Sequence, residues 1–296
     1  MYCKKLYKLI FLLSLSIIFL PNFVNAHDLP EIKKAGVLRH LGVPYANFIT
    51  GSGDGLDIEL IKGFAASIGV QYQFVQSSWS TVFGDLTGQH ARRGNKEVEK
   101  LEKTAITGDI IANGMTILPW REQLITFSEP TFPSAVWLVA RAQSTIIPIT
   151  PSDSMDKDIL QVKSALHGVS VLALKNTCLD PALYHLSDSR ARIQLASQQL
   201  KLNEMAPAIL NNEAETTLLD VPDALIALEK WPGQLKVIGP ISKRQYMAAG
   251  FRKTSPKLVK AFNHYLRNIK KQGHYKKMVN KYYPSVFVYY EDFFNL

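Results

Sequence analysis

Cysteine is scarce in this 296-residue chain: Cys3 and Cys178 are its two thiols, and Cys3 falls in an N-terminal stretch that reads as a removable leader. One remaining thiol excludes a disulfide-stapled scaffold unless chains pair. The seven histidines are dispersed, with no HExxH, no CxxC and no close His pair beside a carboxylate, so no metal centre is indicated. A GxSxG nucleophile elbow and a Walker-type glycine-rich loop are also missing. The apolar run from Leu9 to Leu20 is too short for a comfortable membrane span. The residues therefore predict neither an enzyme nor a cofactor.

What is present begins with an address. Lys4, Lys5 and Lys8 precede that apolar run, and Val24-Asn25-Ala26 supplies a small-residue cleavage site, so residues 1–26 read as a signal peptide cut near Ala26. Cys3 lies before the apolar run rather than after the cut, which argues against a lipid anchor. The expected product is a soluble exported chain in the periplasm. Removing the leader leaves 31 basic against 25 acidic residues, a net charge of +6. Its densest clusters are Arg92-Arg93 and Lys270 to Lys277. Scattered charge of this kind reads as a solvated surface, and export makes nucleic acid an unsuitable partner. The remaining 270 residues are enough for two ordinary domains.

Strand-like and helix-like segments alternate along the mature chain. Ala35 to Val43 reads as a strand, and Leu56 to Ile68 as a helix with Leu56, Leu60, Ile61, Phe64, Ala65 and Ile68 inward and Asp57, Glu59 and Lys62 opposite. Val70 to Val75 alternates as a strand with Val70, Tyr72 and Phe74 on one side. Asp109 to Ala112 and Ala135 to Ala140 are further strands. The polar Gln89 to Thr107 stretch, with both charge signs interleaved, is expected to be an exposed helical insertion. Ile147 to Asp158 reads as a loop between halves. The pattern then restarts: strands at His167 to Leu174, Ala191 to Leu195, Thr216 to Leu219 and Leu235 to Ile238 alternate with helices at Leu179 to Leu186, Asn203 to Asn211 and Pro222 to Glu229. Ser255 to Lys270 is a strong helix with Thr254 or Ser255 placed to cap it ahead of Pro256. Repeated βαβ units imply an α/β fold of two units in series, each an open and mostly parallel sheet.

One residue in the first unit stands out. Arg121 interrupts the apolar run GDIIANGMTILPWREQLITFSEPTFPSAVWLVAR, which spans Gly108 to Arg141. A guanidinium offers several donors in a rigid fork that matches a carboxylate, which points to a site for a small acid. A solvated loop Arg or a structural ion pair is the plainer alternative.

The ordered set AGVLRHLGVPYANF, GDGLDIELIKGFAASIGVQYQFV, GDIIANGMTILPWREQLITFSEP, LHGVSVLALKNT, LLDVPDALIALEKW and GFRKTSPKLVKAFNHYLRNIKKQGHYKKMVNKYYP resembles family 3 of the bacterial extracellular solute-binding proteins. The resemblance covers nearly all the mature chain. Its best single motif is D-x-I-x-x-x-x-T-x-x-x-x-R followed by F-S-x-P.

That resemblance implies a two-lobed periplasmic binding-protein fold of type II with two crossover hinge strands. One lobe would comprise residues 27–134 plus 248–296 and the other residues 135–247. It implies a monomer that closes on an amino acid or other small carboxylate and delivers it to an ABC permease in the inner membrane.

Matched residue by residue, Arg121 would fork the ligand α-carboxylate with Thr116 beside it, and the Gly114 backbone would face the amino group. Thr177 and Cys178 match a strand-to-helix turn whose N–H groups approach the carboxylate. Asp220 matches the acceptor of the α-ammonium. Tyr45, with Phe48 or Trp79, matches the aromatics that sandwich the side chain.

Plainer roles compete at each position: Asp220 as the N-cap of the following helix, Thr116 in a turn, Tyr45 and Trp79 as core or rim aromatics, and Cys178 as a small buried residue or a reactive thiol. Trp120 and Trp137 are assigned to packing. Asn176-Thr177 replaces the usual Gly-Thr turn, Cys178 a common hydroxyl residue, and Gly55-Leu56-Asp57 an aromatic-rich turn. With the Gln89 to Thr107 insertion and ILPWR before the FSEP segment, these departures mark a divergent subgroup whose ligand need not be a standard amino acid. Two other functions fit the same resemblance: a dehydratase-like enzyme with Glu213 or Glu215 as its acid, and a sensory or accessory binding protein. The sequence shows no membrane-spanning, signalling or peptidoglycan-cleaving segment, which disfavours fusion to a sensor kinase or a transglycosylase.

Overall fold

The computed structural model describes residues 28–94, 97–197 and 201–295. The leader and its cleavage point lie outside these residues. In chain order, α1 (Leu29–Ala35) leads to β1 (Val37–Gly42), α2 (Leu56–Ser67), β2 (Gln71–Gln76), α3 (Val82–Thr87), β3 (Gln89–Arg93) and β4 (Val98–Lys103). Next come β5 (Ile110–Ile111), α4 (Pro119–Glu122), β6 (Thr126–Phe127), β7 (Phe132–Ser134), β8 (Val136–Arg141), α5 (Met155–Ser164), β9 (Ser170–Ala173) and β10 (Arg192–Leu195). They are followed by α6 (Met205–Leu210), β11 (Thr216–Asp220), α7 (Val221–Lys230), β12 (Leu235–Pro240), β13 (Gln245–Met247) and β14 (Gly250–Phe251). Three helices close the chain: α8 (Pro256–Lys271), α9 (His274–Tyr282) and α10 (Val286–Phe294).

Two five-stranded sheets result, in the orders β2-β1-β5-β14-β6 and β10-β9-β11-β8-β12. In the first, β1 runs parallel to β2 and β5, while β14 enters antiparallel to β5 and β6. In the second, β9 runs parallel to β10 and β11, while β8 is antiparallel to β11 and β12. The chain leaves the first sheet through β7 and returns to it through β13. These two connectors pair antiparallel, with Phe132 opposite Met247 and Ser134 opposite Gln245. This is the two-lobed fold the sequence implies.

Local chemistry explains the pieces that frame the cleft. On α2, Leu56, Leu60, Ile61, Phe64 and Ala65 are fully buried, each large side chain contributing about 1.5–3 kcal/mol relative to exposure. Asp57 departs from its expected polar face: it too is buried, and its carboxylate accepts the Gly114 N–H at 2.7 Å. The cause is the entry to the helix. Gly55, at φ 138°, passes so close to the Phe48 carbonyl that a Cβ would lie 2.3 Å from it, and this turns the first helical turn inward.

Three other expectations are corrected. The Gln89 to Thr107 stretch is not a helix but a β-hairpin, β3 against β4, with Arg92 forked onto Glu99 at 2.8 and 2.9 Å. Interleaved charge suits a ladder of cross-strand pairs as well as a helix face, and Gly94 turns the chain between them. The expected helix at Leu179 to Leu186 is a pair of short 3-10 turns, Pro181–Tyr184 and Leu186–Ser189, broken at His185 with φ 50°. The loop from Ile147 gives way to α5 at Met155, inside the segment read as irregular. On the edge strand β2, Phe74 is 38% exposed.

The long C-terminal helix is capped from afar. Ser255 sits at its N-cap position without a side-chain bond; the Asp28 carboxylate accepts the amides of Lys257 (3.1 Å) and Leu258 (2.8 Å) instead. Asp28 also caps α1, accepting from Leu29 at 2.9 Å.

Candidate functional site

The parallel strands of both sheets deliver their C-terminal ends to one small cavity, where open α/β sheets place ligands. From the first sheet, Tyr45 follows β1, Trp79 follows β2, Gly114 and Thr116 follow β5, and Arg121 rides on α4. From the second, Thr177 and Cys178 follow β9, and Asp220 ends β11. Of the nine residues the resemblance matched to the ligand site, all but Phe48 line this cavity, together with Leu202, which was not among them.

Arg121 is 3% exposed and has no carboxylate within ion-pair distance among the described residues. One of its terminal nitrogens donates to the Thr116 carbonyl at 2.8 Å, and its Nε is buried without a partner. Aromatic rings surround the guanidinium, with centroids at 5.4 Å (Trp120), 5.6 Å (Trp79) and 6.0 Å (Phe83). Burial pulls its pKa below the usual arginine value, partly offset by the thiol, phenols and carboxylate that face it from Cys178, Tyr184, Asp220 and Tyr45. A buried cation without a carboxylate partner is an expensive arrangement, and it suits an anion that arrives from outside.

Asp220 is also buried, at 1% exposure, and occupies the N-cap position of α7. Its carboxylate makes no capping bond there. Its Oδ1 accepts from the Tyr45 hydroxyl at 2.5 Å and its Oδ2 from the Cys178 thiol at 3.5 Å. Burial raises its pKa to about 6 against the lowering pull of those donors. Asp223, one helical turn on, is pushed well above the carboxylate range by burial and by the charge of Asp220. Cys178 is buried and its thiol is shifted upward, first by burial and then by Asp220, which opposes the reactive-thiolate reading.

The turn carrying Thr177 and Cys178 is held by its own hydrogen bonds. The Thr177 hydroxyl donates to the Leu174 carbonyl (2.8 Å) and accepts from the Leu179 amide (3.0 Å), while Tyr184 donates to the Cys178 carbonyl. The short helix beyond it is capped by Asp180, whose carboxylate accepts the Ala182 amide. The amides of Thr116, Thr177 and Cys178 have no protein acceptor among the described residues. Gly114 lies at φ 63°, where a Cβ would lie 2.3 Å from the Phe48 ring; its N–H is committed to Asp57, leaving its carbonyl for any ligand amine. Asp57 itself is raised to about 7 by burial.

Phe48 does not sandwich anything in the cavity. It is fully buried beneath Tyr45, ring to ring at 5.9 Å, and packs on Phe132 and Tyr283. Trp79 meets Tyr45 edge-on at 6.0 Å, and Trp137 packs on Tyr289 as expected. Glu213 and Glu215, the acids the enzyme reading requires, are not in the cavity. Glu213 is exposed, and Glu215 accepts the Ser170 amide and pairs with Arg192 near the surface.

The Tyr45 to Asp220 contact joins the two sides directly. The enclosed cavity measures about 10 Å³, on the order of one water molecule. The two sides therefore meet across the site, with room for about one water molecule between them.

The sequence model of the bacterial extracellular solute-binding proteins, family 3, matches residues 96–285. The chain belongs to this family. Family-3 geometry also recurs in solved structures. A mutant of ArgBP from T. maritima is 22% identical at a TM-score of 0.65, covering 87% of this chain and 99% of that one. The ancestral amino acid-binding protein AncCDT-1, a precursor of cyclohexadienyl dehydratase, is 23% identical at 0.64, covering 86% and 98%. The GluR0 ligand-binding core from Nostoc punctiforme, in complex with (L)-glutamate, is 19% identical at 0.63, covering 83% and 99%. At these identities they show the fold. A curated relative, membrane-bound lytic murein transglycosylase F of Desulfosudis oleivorans, is 25% identical over 233 residues, 78% of this chain and 44% of the relative. The chain thus spans less than half the length of that relative.

Leu202, Phe83, Tyr184 and Asp223 complete the surroundings of this family-3 site and were not anticipated. Asp223 follows Asp220 at a spacing that reads simply as a helix start, and Leu202 sits beyond a polar stretch without periodicity. For these two, tertiary placement supplies the signal.

Proposed function

We propose that this family-3 protein is an exported solute receptor that closes on a small carboxylate-containing solute, an amino acid or close relative, and passes it to an ABC permease. Arg121 carries the reading: a buried guanidinium with no carboxylate of its own and an unmet Nε, beside the acceptor-free amides of Thr116, Thr177 and Cys178. These donors match the oxygens of one carboxylate. Across the cavity, Asp220 takes the ammonium once the lobes separate and the Tyr45 hydroxyl is displaced. Binding contacts on both sides favour the closed form in proportion to the differential affinity they create. The protein acts as a monomer in the periplasm.

Mass spectrometry of small molecules released from the purified protein names the solute. That solute raises the melting temperature, and Arg121→Ala removes the shift. A shift unchanged by Arg121→Ala refutes the site, and unimpaired uptake in a deletion strain favours a sensory role over transport.

A further inference from the structure

The charge inventory of the cavity limits what the solute can carry. Arg121 and Asp220 are the charged side chains that line it among the described residues. Asp223 is not part of the lining, and burial beside the Asp220 carboxylate raises its pKa. The pair that lines the cavity is one cation and one anion, which a zwitterion's own carboxylate and ammonium use up.

The other walls are apolar or aromatic. Trp79 meets Tyr45 edge-on, and its ring also lies against the guanidinium. Leu202 closes the second-sheet side and is 4% exposed. A charged side chain enclosed here would be desolvated with no counter-ion, and a long one would have to displace Trp79 from its two contacts.

We infer that the solute is an amino acid with a small, uncharged side chain, and that Leu202 and Trp79 enforce this choice. The inference rests on the proposal that Arg121 and Asp220 hold the backbone charges of the solute.

Isothermal titration of the purified protein tests it, with glycine, L-alanine and L-serine set against L-arginine, L-lysine, L-aspartate and L-glutamate. At least one of the first three is expected to bind about tenfold or more tightly than any of the last four. A charged amino acid that binds as tightly overturns the inference and leaves the receptor reading intact. If none of the seven binds and the solute released from the protein has no ammonium group, the zwitterion reading falls as well. Leu202→Asp places a carboxylate in the wall and is expected to raise affinity for L-lysine about tenfold or more. No gain in a folded variant that still binds the neutral ligand removes Leu202 from the side-chain wall.

Discussion

The guanidinium of Arg93 lies 3.0 Å from the carboxylate of Asp180. Arg93 ends the first strand of the β3–β4 hairpin, and Asp180 sits two residues beyond Cys178 in the turn that follows β9. Asp180 is nearly buried and also accepts the amides of Asn176 and Ala182, so the ion pair reaches a rigid piece of the cavity wall. The hairpin that sequence reading took for a surface helix thus ties the two lobes together. Removing Arg93 breaks a charge-assisted contact between the lobes. Arg93→Ala is expected to speed ligand dissociation by ~5–30-fold, corresponding to about 1–2 kcal/mol, with little change in association rate. Stopped-flow dissociation measures this; an unchanged off-rate shows that the pair contributes nothing to closure.

Arg121 sets stability against binding. A buried cation lacking a counter-ion costs folding free energy, and replacing such groups with apolar residues of similar volume is often stabilising by about 1–4 kcal/mol. Arg121→Met keeps much of the volume inside the ring of Trp79, Trp120 and Phe83. The ligand-free variant is expected to melt higher than the wild type and to gain nothing from ligand. Thermal denaturation with and without solute reads both effects. A lower melting temperature without ligand would mean that the bond to the Thr116 carbonyl and the cation–π contacts outweigh the desolvation cost.

Legibility of the chain divides along the range of the interaction. Arg121, Thr116 and Asp220, which line the cavity, were singled out by the family resemblance, Arg121 also by standing as a lone guanidinium in an apolar run. The helices α2 and α8 could be read because Leu60, Phe64, Leu258 and Phe262 recur on one face. Asp57 was misplaced because helical periodicity gives relative faces, whereas the inward turn at its N-terminus depends on Gly55 passing the Phe48 carbonyl. The hairpin was misread because alternating Arg, Lys and Glu carry no apolar period that separates a strand from a helix; the Gly-Asn dipeptide in the sequence was the available signal. The cap of α8 could not be read at all. Asp28 lies 229 residues from Lys257, and no local pattern encodes a bond over that separation.

Ligand capture should weaken in acid. An ammonium is held by Asp220 only when that carboxyl is ionised, and burial has moved its pKa up to about 6. The surrounding Tyr45 and Cys178 are shifted upward and remain protonated near neutrality, and Asp223 is shifted upward as well. Affinity for an amino acid is therefore expected to be level above pH 7 and to fall toward tenfold per unit below about pH 6. A ligand with a carboxylate but no amine should not follow that curve. Titration calorimetry at several pH values separates the two, and Asp220→Asn should flatten the amino-acid profile while lowering its plateau.

Folding stability has its own acid dependence through Asp57. Its pKa rises from 3.8 to about 7, chiefly through burial and against the opposing bond from the Gly114 amide. Between pH ~4 and ~7 the folded protein thus binds a proton at this site that the unfolded chain has released. Stability from this group is greatest below that window and declines as pH rises through it, by up to ~1.4 kcal/mol per unit. Asp57→Asn keeps a neutral side chain of the same shape at every pH and an oxygen to accept from Gly114. The difference in unfolding free energy between variant and wild type should therefore grow in favour of the variant from pH 4 to pH 7, then level off. Urea denaturation across that range measures it. A difference independent of pH would mean that Asp57 is ionised in the folded protein throughout, held so by the Gly114 amide in spite of its burial.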